Sequence, residues 1–301
     1  MKQITYSETV ENLRGLLKDY LVKSGLKSIV MGISGGIDSA LVAALAKPVV
    51  DELGIELIGR SITIQSNKED EISRARNIGE VFCTNFNEVD LTDKYLIMRE
   101  IDDMEGEGDD DTAYKIRMGN VKARMRMTYI YNLASKNSGM VMSNDNMTEL
   151  LLGFWTLHGD VGDYGLIQEL WKTEVYGMTE WLALNSETKA EKEALMACVK
   201  ADATDGLGIS NTDLDQILPD WKDRHTSTRG GYAEVDNILI DYLEMVDVLI
   251  NKRNSTPYTK ILEISNNVMK LKDHPVIVRH MKSQFKRENP YNEKREDYIV
   301  Y

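Results

Sequence analysis

The stretch "SIVMGISGGIDSALVAALA", Ser28 to Ala46, decides how the chain is read: a β-rich apolar run halts at Ser34-Gly35-Gly36 and turns at once into an Ala/Leu helical pattern. A strand that stops at glycines and feeds a helix leaves the first helical N–H groups unpaired and aimed at the turn. With the helix dipole added, they form an anion site. Gly35 and Gly36 admit a ligand close to the backbone, where a Cβ would obstruct it. Ser34 and Ser39 add hydroxyl donors. Asp38 sets a carboxylate beside the anion, an arrangement that implies a divalent metal between carboxylate and phosphates. The spacing is neither GxxxxGK[ST] nor GxGxxG, which argues against a Walker loop and a dinucleotide oxidoreductase. On these residues alone, a tight strand-to-helix turn with an aspartate at the helix start is an equally good reading.

Outward from the turn, Leu13, Leu16, Leu17, Tyr20 and Leu21 recur at helical spacing, predicting a helix over about 7–23 that ends near Ser24-Gly25. A strand at Ser28 to Ile33, a helix closed by Gly54, a second buried strand in "IELIGRSITI", a helix in "KEDEISRARNIGEVFCT" and a short strand near Phe86 to Val89 follow. This alternation predicts βαβ units and a parallel sheet. The acidic "DDMEGEGDDDTAYK" (102–115) interrupts the rhythm and reads as a solvated loop, with a functional lid as the alternative. "IRMGNVKARMRMTYIYNLASKNSG" resumes as a long helix and feeds a strand in "MVMSND". The remainder reads as mostly helical, ending in the polar tail "ENPYNEKREDYIVY". No repeat or low-complexity linker divides the chain, so one domain over 1–301 is expected.

Bulk composition narrows the function. The 301 residues are 42% hydrophobic, enough for a substantial core, and Asp plus Glu (49) exceed Lys plus Arg (36), a net charge of −13. That balance disfavours nucleic acid as a partner. Two cysteines, Cys83 and Cys198, without a CxxC or a histidine cluster, argue against a disulfide framework and a structural zinc. The N-terminal segment lacks the apolar core of a signal peptide, and no apolar run approaches the roughly 20 residues of a membrane span. A cytoplasmic protein with no membrane partner is therefore expected.

"SGGIDS" resembles the pyrophosphate loop of the N-type ATP pyrophosphatases, which share an open Rossmann-like parallel sheet with helices on both faces, the adenine nucleotide alpha hydrolase-like α/β fold. "GNVKARMRM" (Gly119 to Met127) resembles the NAD synthetase signature and singles out that family, in its ammonia-dependent form, since no residues remain for a fused glutaminase domain. Three further blocks fit it: "SNDNMTELLLGFWTLHGDVGDYG", "ELWKTEVYGMTEWL", and "ATDGLGISNTDLDQIL" with the later "FKR".

The resemblance implies ATP binding by Gly32, Ile33, Ser34, Gly35, Gly36, Ile37, Asp38, Ser39, Asn144, Lys172 and Thr204, and magnesium held by Asp38, Glu149 and Thr204. It implies deamido-NAD contacts from Asn120, Arg124, Asp160, Asp163, Phe285 and Lys286, with Asp38, Lys172 and Glu149 as the catalytic set. Arg126, two residues from Arg124, cannot share its helix face and is assigned to the fold or a dimer. The chain departs from the pattern at Asn144, where Thr is common, at Leu157, where many members have a substrate-contacting Lys, and at Phe285, where HKR is usual. His158 has no metal-spaced partner and reads as packing or surface.

The implied reaction joins the nicotinate carboxylate of deamido-NAD to ammonia through an acyl-adenylate, releasing pyrophosphate and AMP, in a homodimer whose N-terminal helix contributes contacts. A pyrophosphatase amidating or thiolating another acceptor, and a nucleotide sensor that has lost catalysis, are the alternatives.

Overall fold

The computed structural model describes residues 4–65, 68–103, 111–204 and 210–288. Its centre is β1 (Ser28–Gly32), flanked on one side by β2 (Glu56–Thr63) and β3 (Asn85–Asp90) and on the other by β4 (Gly139–Ser143) and β5 (Tyr164–Gly165). All pairs are parallel and the order is β3-β2-β1-β4-β5, the α/β class expected from the alternating pattern. Ile29 lies opposite Leu57 and Met140, and Val30 opposite Ile58 and Val141. Because strand side chains alternate, this register sends Ile29, Met31, Leu57, Met140 and Met142 to one face and Val30, Ile58, Ile62 and Val141 to the other. Both faces are apolar, so both need helices.

The first face is covered by α1 (Tyr6–Ser24), α2 (Ile37–Leu53), α3 (Glu69–Phe82), α7 (Lys172–Leu184) and α8 (Lys189–Lys200), and the second by α4 (Thr92–Asp103) and α5 (Asp111–Lys136). Helix α2 is buried almost all round, as its run of alanines and leucines requires. Helix α1 buries only Val10, Leu17 and Leu21 and stops at Gly25, which takes the left-handed conformation that glycine tolerates best (φ 69°). The short α6 (Met147–Leu152) follows β4. The C-terminal part consists of two four-residue turns, α9 (Leu214–Ile217) and α10 (Trp221–Arg224), the long α11 (Thr228–Asn251), α12 (Tyr258–Leu271), α13 (Pro275–Lys282) and α14 (Gln284–Arg287). The larger apolar cluster runs from Val10 to Ile277 and includes Trp221, Tyr232, Val235 and Leu239 of α10 and α11.

One expectation needs correction. The acidic stretch 102–115 is helical at both ends, since α4 extends to Asp103 and α5 begins at Asp111, five residues before the start expected at Ile116; residues 104–110 lie outside the described set. Tyr95, buried at 2% exposure, anchors α4 to the sheet and makes the helix from a segment too polar to announce itself. Strand β5, which the sequence reading did not name, is two residues long and too short for any alternation to show. The polar tail expected over 288–301 lies outside the described residues beyond Glu288.

Strand order reverses between β1 and β4, so the loops leaving their C-terminal ends diverge and open a crevice, the usual ligand position in an open parallel sheet.

Candidate active site

That crevice is a cleft of about 870 Å³ lined by the β1–α2 turn, by Arg60, Ile62 and Ile64 of β2 and its exit, by Asn144, Asp145 and Glu149 after β4, and by Lys172, Thr204 and Tyr232. The turn folds on itself through its own serines. Ser39 Oγ donates to the Gly36 carbonyl (3.1 Å) and accepts from Ser34 N–H (3.3 Å), while Gly36 N–H donates to Ser34 Oγ (3.2 Å). Gly35 has φ 80°, and a methyl there would sit 2.3 Å from the Glu71 carbonyl oxygen, so only glycine fits. Arg74 of α3 clamps the Gly35 carbonyl at 3.0 Å. Gly36 caps α2 with no side-chain bond, which leaves the first N–H groups of that helix directed at the cleft. Asp38 therefore acts elsewhere than as a cap.

Asp38, Glu149 and Lys172 come from three elements and meet. Lys172 Nζ lies 2.6 Å from Asp38 Oδ2 and 2.8 Å from Glu149 Oε1, with its side chain 3% exposed. Asn146 ties the carboxylates together: its Nδ2 donates to Asp38 Oδ1 (2.8 Å), and its Oδ1 caps α6 by accepting from Glu149 N–H (3.0 Å). Burial pushes the Glu149 carboxyl up to about 7, with repulsion from Asp38 adding to it and Lys172 opposing it. Burial works against the charged form of Lys172, but Asp38 and Glu149 outweigh it and hold the ammonium well above the ordinary lysine range. Next to this group, Asp145 is forced well above the usual aspartate range, first by burial and then by Asp160, Glu149 and Asp38. Two carboxylates, Asp38 and Glu149, thus share the buried Lys172 ammonium, with Asp145 beside them.

Asn144 donates through Nδ2 to the Gly32 carbonyl (3.0 Å), while its Oδ1 is buried with no partner among the described residues. It presents a ready acceptor to any N–H donor entering the cleft. Thr204 lines the cleft too, but its hydroxyl donates to Glu71 of α3 (3.1 Å), not to Asp38 or Glu149, which separates it from the pair it was grouped with.

The residues expected at the other end are placed differently. Asp160 lines the cleft, but one oxygen accepts from Thr156 N–H (2.5 Å), and Asn120 Oδ1 accepts from the Thr156 hydroxyl (2.7 Å), so both brace the loop 153–163. Asp163 is taken up by the sheet edge: Oδ2 accepts from Val141 N–H (2.8 Å) and Oδ1 from Tyr131 (3.2 Å). Lys286 Nζ donates to the carbonyls of Gly153 (2.6 Å) and Trp155, and Phe285 is 61% exposed. Arg124 is exposed, donates to the Leu157 carbonyl (3.1 Å) and does not line the cleft. Arg126 does line it, donating to the Ile62 carbonyl (3.3 Å) beside Lys122. Of the two arginines, Arg126 is thus the one that reaches the cleft of this chain. His158 is exposed, as expected.

Sequence reading missed Arg126 as a cleft residue, Asn146, Asp145 and Arg74. Asn146 was available: Asn-Met-Thr-Glu places an N-cap and its N3 carboxylate at the spacing of a helix start.

The family model described as NAD synthase matches residues 9–239, more than two thirds of the chain. The chain belongs to the NAD synthase family. The NH3-dependent NAD+ synthetase of Archaeoglobus fulgidus is 27% identical over 264 residues, 87% of this chain and 100% of that protein. That of Methanosarcina mazei is 33% identical, over 67% of this chain and 77% of its own length. The NH3-dependent NAD synthetase structure from Campylobacter jejuni covers 97% of this chain and all of its own, with a TM-score of 0.58 and 20% identity. An NMN synthetase from Francisella tularensis gives a TM-score of 0.61 at 22% identity, over 76% of this chain and 90% of its own. The two structures share the NAD synthase fold seen here. Among the described residues no helix is long and apolar enough to cross a membrane.

Proposed function

We propose that this NAD synthase family member amidates deamido-NAD with ammonia at the expense of ATP, acting as a carbon–nitrogen ligase. The observation that carries the reading is the meeting of Lys172 with Asp38 and Glu149 beside the amides of the Gly32–Ser39 turn. A carboxylate resists ammonia because its oxygen leaves poorly and its carbon is shielded by negative charge. Transfer of AMP to that oxygen removes both obstacles.

In this reading the nicotinate oxygen attacks the α-phosphorus of ATP, the bond to the bridging oxygen breaks, and pyrophosphate departs toward the turn. The N–H groups at the start of α2, with Ser34 and Ser39, receive its charge. Lys172 turns its ammonium from the carboxylates to the phosphate oxygens, where charge accumulates in the transition state. Ammonia then adds to the acyl carbon, the bond to AMP breaks, and the proton passes to solvent. No side chain forms a covalent bond.

Asp38 and Glu149 fit a magnesium ion: both are hard oxygen donors, and their oxygens already converge on one cation within 2.8 Å. When bound there with the phosphates, magnesium supplies charge neutralisation. Thr204, which bonds Glu71, is left to the ATP side of the cleft. Arg126 and Lys122, cations that α5 brings to the cleft beside β2, meet the anionic substrates. Arg124, outside this cleft, serves substrate from across a homodimer in which the exposed Leu16 and Val22 of α1 find partners. The chain works as one domain in the cytoplasm.

Purified protein with ATP, magnesium, ammonium and deamido-NAD is expected to release AMP and pyrophosphate in step with NAD. Turnover with the mononucleotide acid in place of deamido-NAD, and none with the dinucleotide, would transfer the reading to a mononucleotide amidase. No pyrophosphate with any acid would leave a nucleotide-binding protein.

A further inference from the structure

We propose that Asp236, a residue of the C-terminal helix α11 that neither lines the cleft nor hydrogen-bonds Lys172 Nζ, is a positioning residue that sets the distance between Lys172 and Glu149. Asp236 is fully buried, and its neighbours in the apolar stripe of α11 are Tyr232, Val235 and Leu239. A carboxylate in such a place is costly unless its oxygens are satisfied. Here Oδ1 accepts from the Thr148 hydroxyl (2.5 Å), and Oδ2 accepts from both the backbone N–H and the hydroxyl of Thr173 (2.9 and 2.8 Å).

These partners are the immediate neighbours of the two groups that meet in the cleft: Thr148 precedes Glu149 on α6, and Thr173 follows Lys172 on α7. Thr148 Oγ1 also accepts the N–H of Lys172 itself (2.9 Å). The first two N–H groups of α7, which no turn of its own helix can satisfy, are thus taken by Thr148 and Asp236. The negative charge sits where the dipole of α7 favours it. One carboxylate therefore fastens the start of α7 to the start of α6, and with them the bases of Lys172 and Glu149. Their side chains meet at 2.8 Å only while those helix starts stay in register.

The inference rests on the reaction proposed above, in which Lys172 acts mainly in the transition state. Loosening its base is then expected to lower kcat more than it raises the KM for ATP. Displacements of this kind, one shell away from the reacting groups, cost about 10- to 100-fold.

The test measures pyrophosphate release per folded molecule, with melting curves, for full-length Asp236→Asn, Thr148→Val and Thr148→Ser. Asp236→Asn and Thr148→Val should each lose about 10- to 100-fold in kcat with KM for ATP changed less than about threefold, and Thr148→Ser, which keeps the hydroxyl, should stay within about threefold of wild type. Should Asp236→Asn not fold, the Thr148 pair decides. Equal impairment of Thr148→Val and Thr148→Ser, or unchanged kcat per folded molecule in Thr148→Val, would overturn the inference and leave Asp236 a purely structural group. Failure of the functional reading shows separately, as a wild-type chain that releases no pyrophosphate. In that event a crystal structure of Thr148→Val decides the positioning: a Lys172 Nζ to Glu149 separation lengthened by about 1 Å or more upholds it, and an unchanged one overturns it.

Discussion

At one end of the cleft Asp38, Glu149 and Lys172 arrive from three elements and direct their charges at one another; at the other end Asp160 and Asp163 arrive on one loop and direct theirs at backbone N–H groups. All four acids follow a parallel strand and all four fall within matching motifs. The difference lies in what the neighbouring backbone needs. Asn146 caps α6 and also donates to Asp38, while the first N–H groups of α2 stay open to the cleft, so neither Asp38 nor Glu149 is drawn into capping and both are left to bind a cation. The loop 153–163 has no helix to satisfy its N–H groups, and it recruits Asp160 and Asp163 for that purpose.

The largest expected effect comes from Lys172→Met, which keeps the volume and removes the charge. Pyrophosphate release should fall about 100- to 1,000-fold, the usual cost of losing one transition-state donor. The melting temperature should fall as well, since an uncompensated buried charge costs about 3–5 kcal/mol. Retained turnover would erase the distinction between the two ends.

Arg126 and Arg124, inside and outside the cleft, give the next test. Arg126→Ala should raise the KM of an anionic substrate about tenfold, the equivalent of one charge-assisted hydrogen bond, and more than Arg124→Ala does in the same steady-state assay. The reverse order would put the substrate on the outer face of α5 and not in the cleft.

At the loop end, Asp163→Ala should act on stability. Val141 N–H loses its acceptor, worth about 1–3 kcal/mol, and Tm should drop while kcat and KM per folded molecule hold within about threefold. A tenfold rise in KM without a change in Tm would show that Asp163 faces ligand after all, and would make the two ends alike.

The smallest effect is a gain. Burial, then repulsion from Asp160, Glu149 and Asp38, holds the Asp145 carboxyl well above the ordinary aspartate range. Between that range and its folded titration point the folded chain keeps a proton the unfolded chain has released, so stability falls as pH rises through the window. Asp145→Asn removes the term. Its Tm should match wild type below the unfolded aspartate pKa and exceed it by about 2–4 °C at pH 8, roughly 1 kcal/mol for a chain of this size. A uniform shift at all pH values would locate the effect in packing instead of charge.

Much of this was legible before any coordinates. The strand–turn–helix at Ser28 to Ala46 and the parallel alternation follow from the hydrophobic period, whereas the grouping of Asp38, Glu149 and Lys172 comes from the motif resemblance, since local pattern alone reads Lys172 as a lysine at an exposed helix start. Arg124 and Arg126 were not separable in that way. Both fit the motif, and only the rotation of α5 about its axis, set by Met127, Ile130 and Ala134 packing on Val30 and Val141, decides which one enters the cleft. The backbone bonds of Asp160 and Asp163 were hidden for a related reason: a motif names a residue type at a place, while hydrogen-bond demand depends on backbone that pairs across distant strands. Asp236 did leave a trace. With Tyr232 at i, Val235 at i+3 and Leu239 at i+7, it takes the i+4 place of an otherwise apolar stripe, where a carboxylate needs partners from another element.

The most direct measurement uses deamido-NAD labelled with ¹⁸O in both carboxylate oxygens, with ATP, magnesium and ammonium, and mass analysis of the products. Activation of the carboxylate at the α-phosphorus predicts AMP carrying one labelled oxygen and unlabelled pyrophosphate. ADP with labelled inorganic phosphate, or unlabelled AMP alongside NAD, would mean that the nucleotide is opened elsewhere and that the turn beside Lys172 does not receive pyrophosphate.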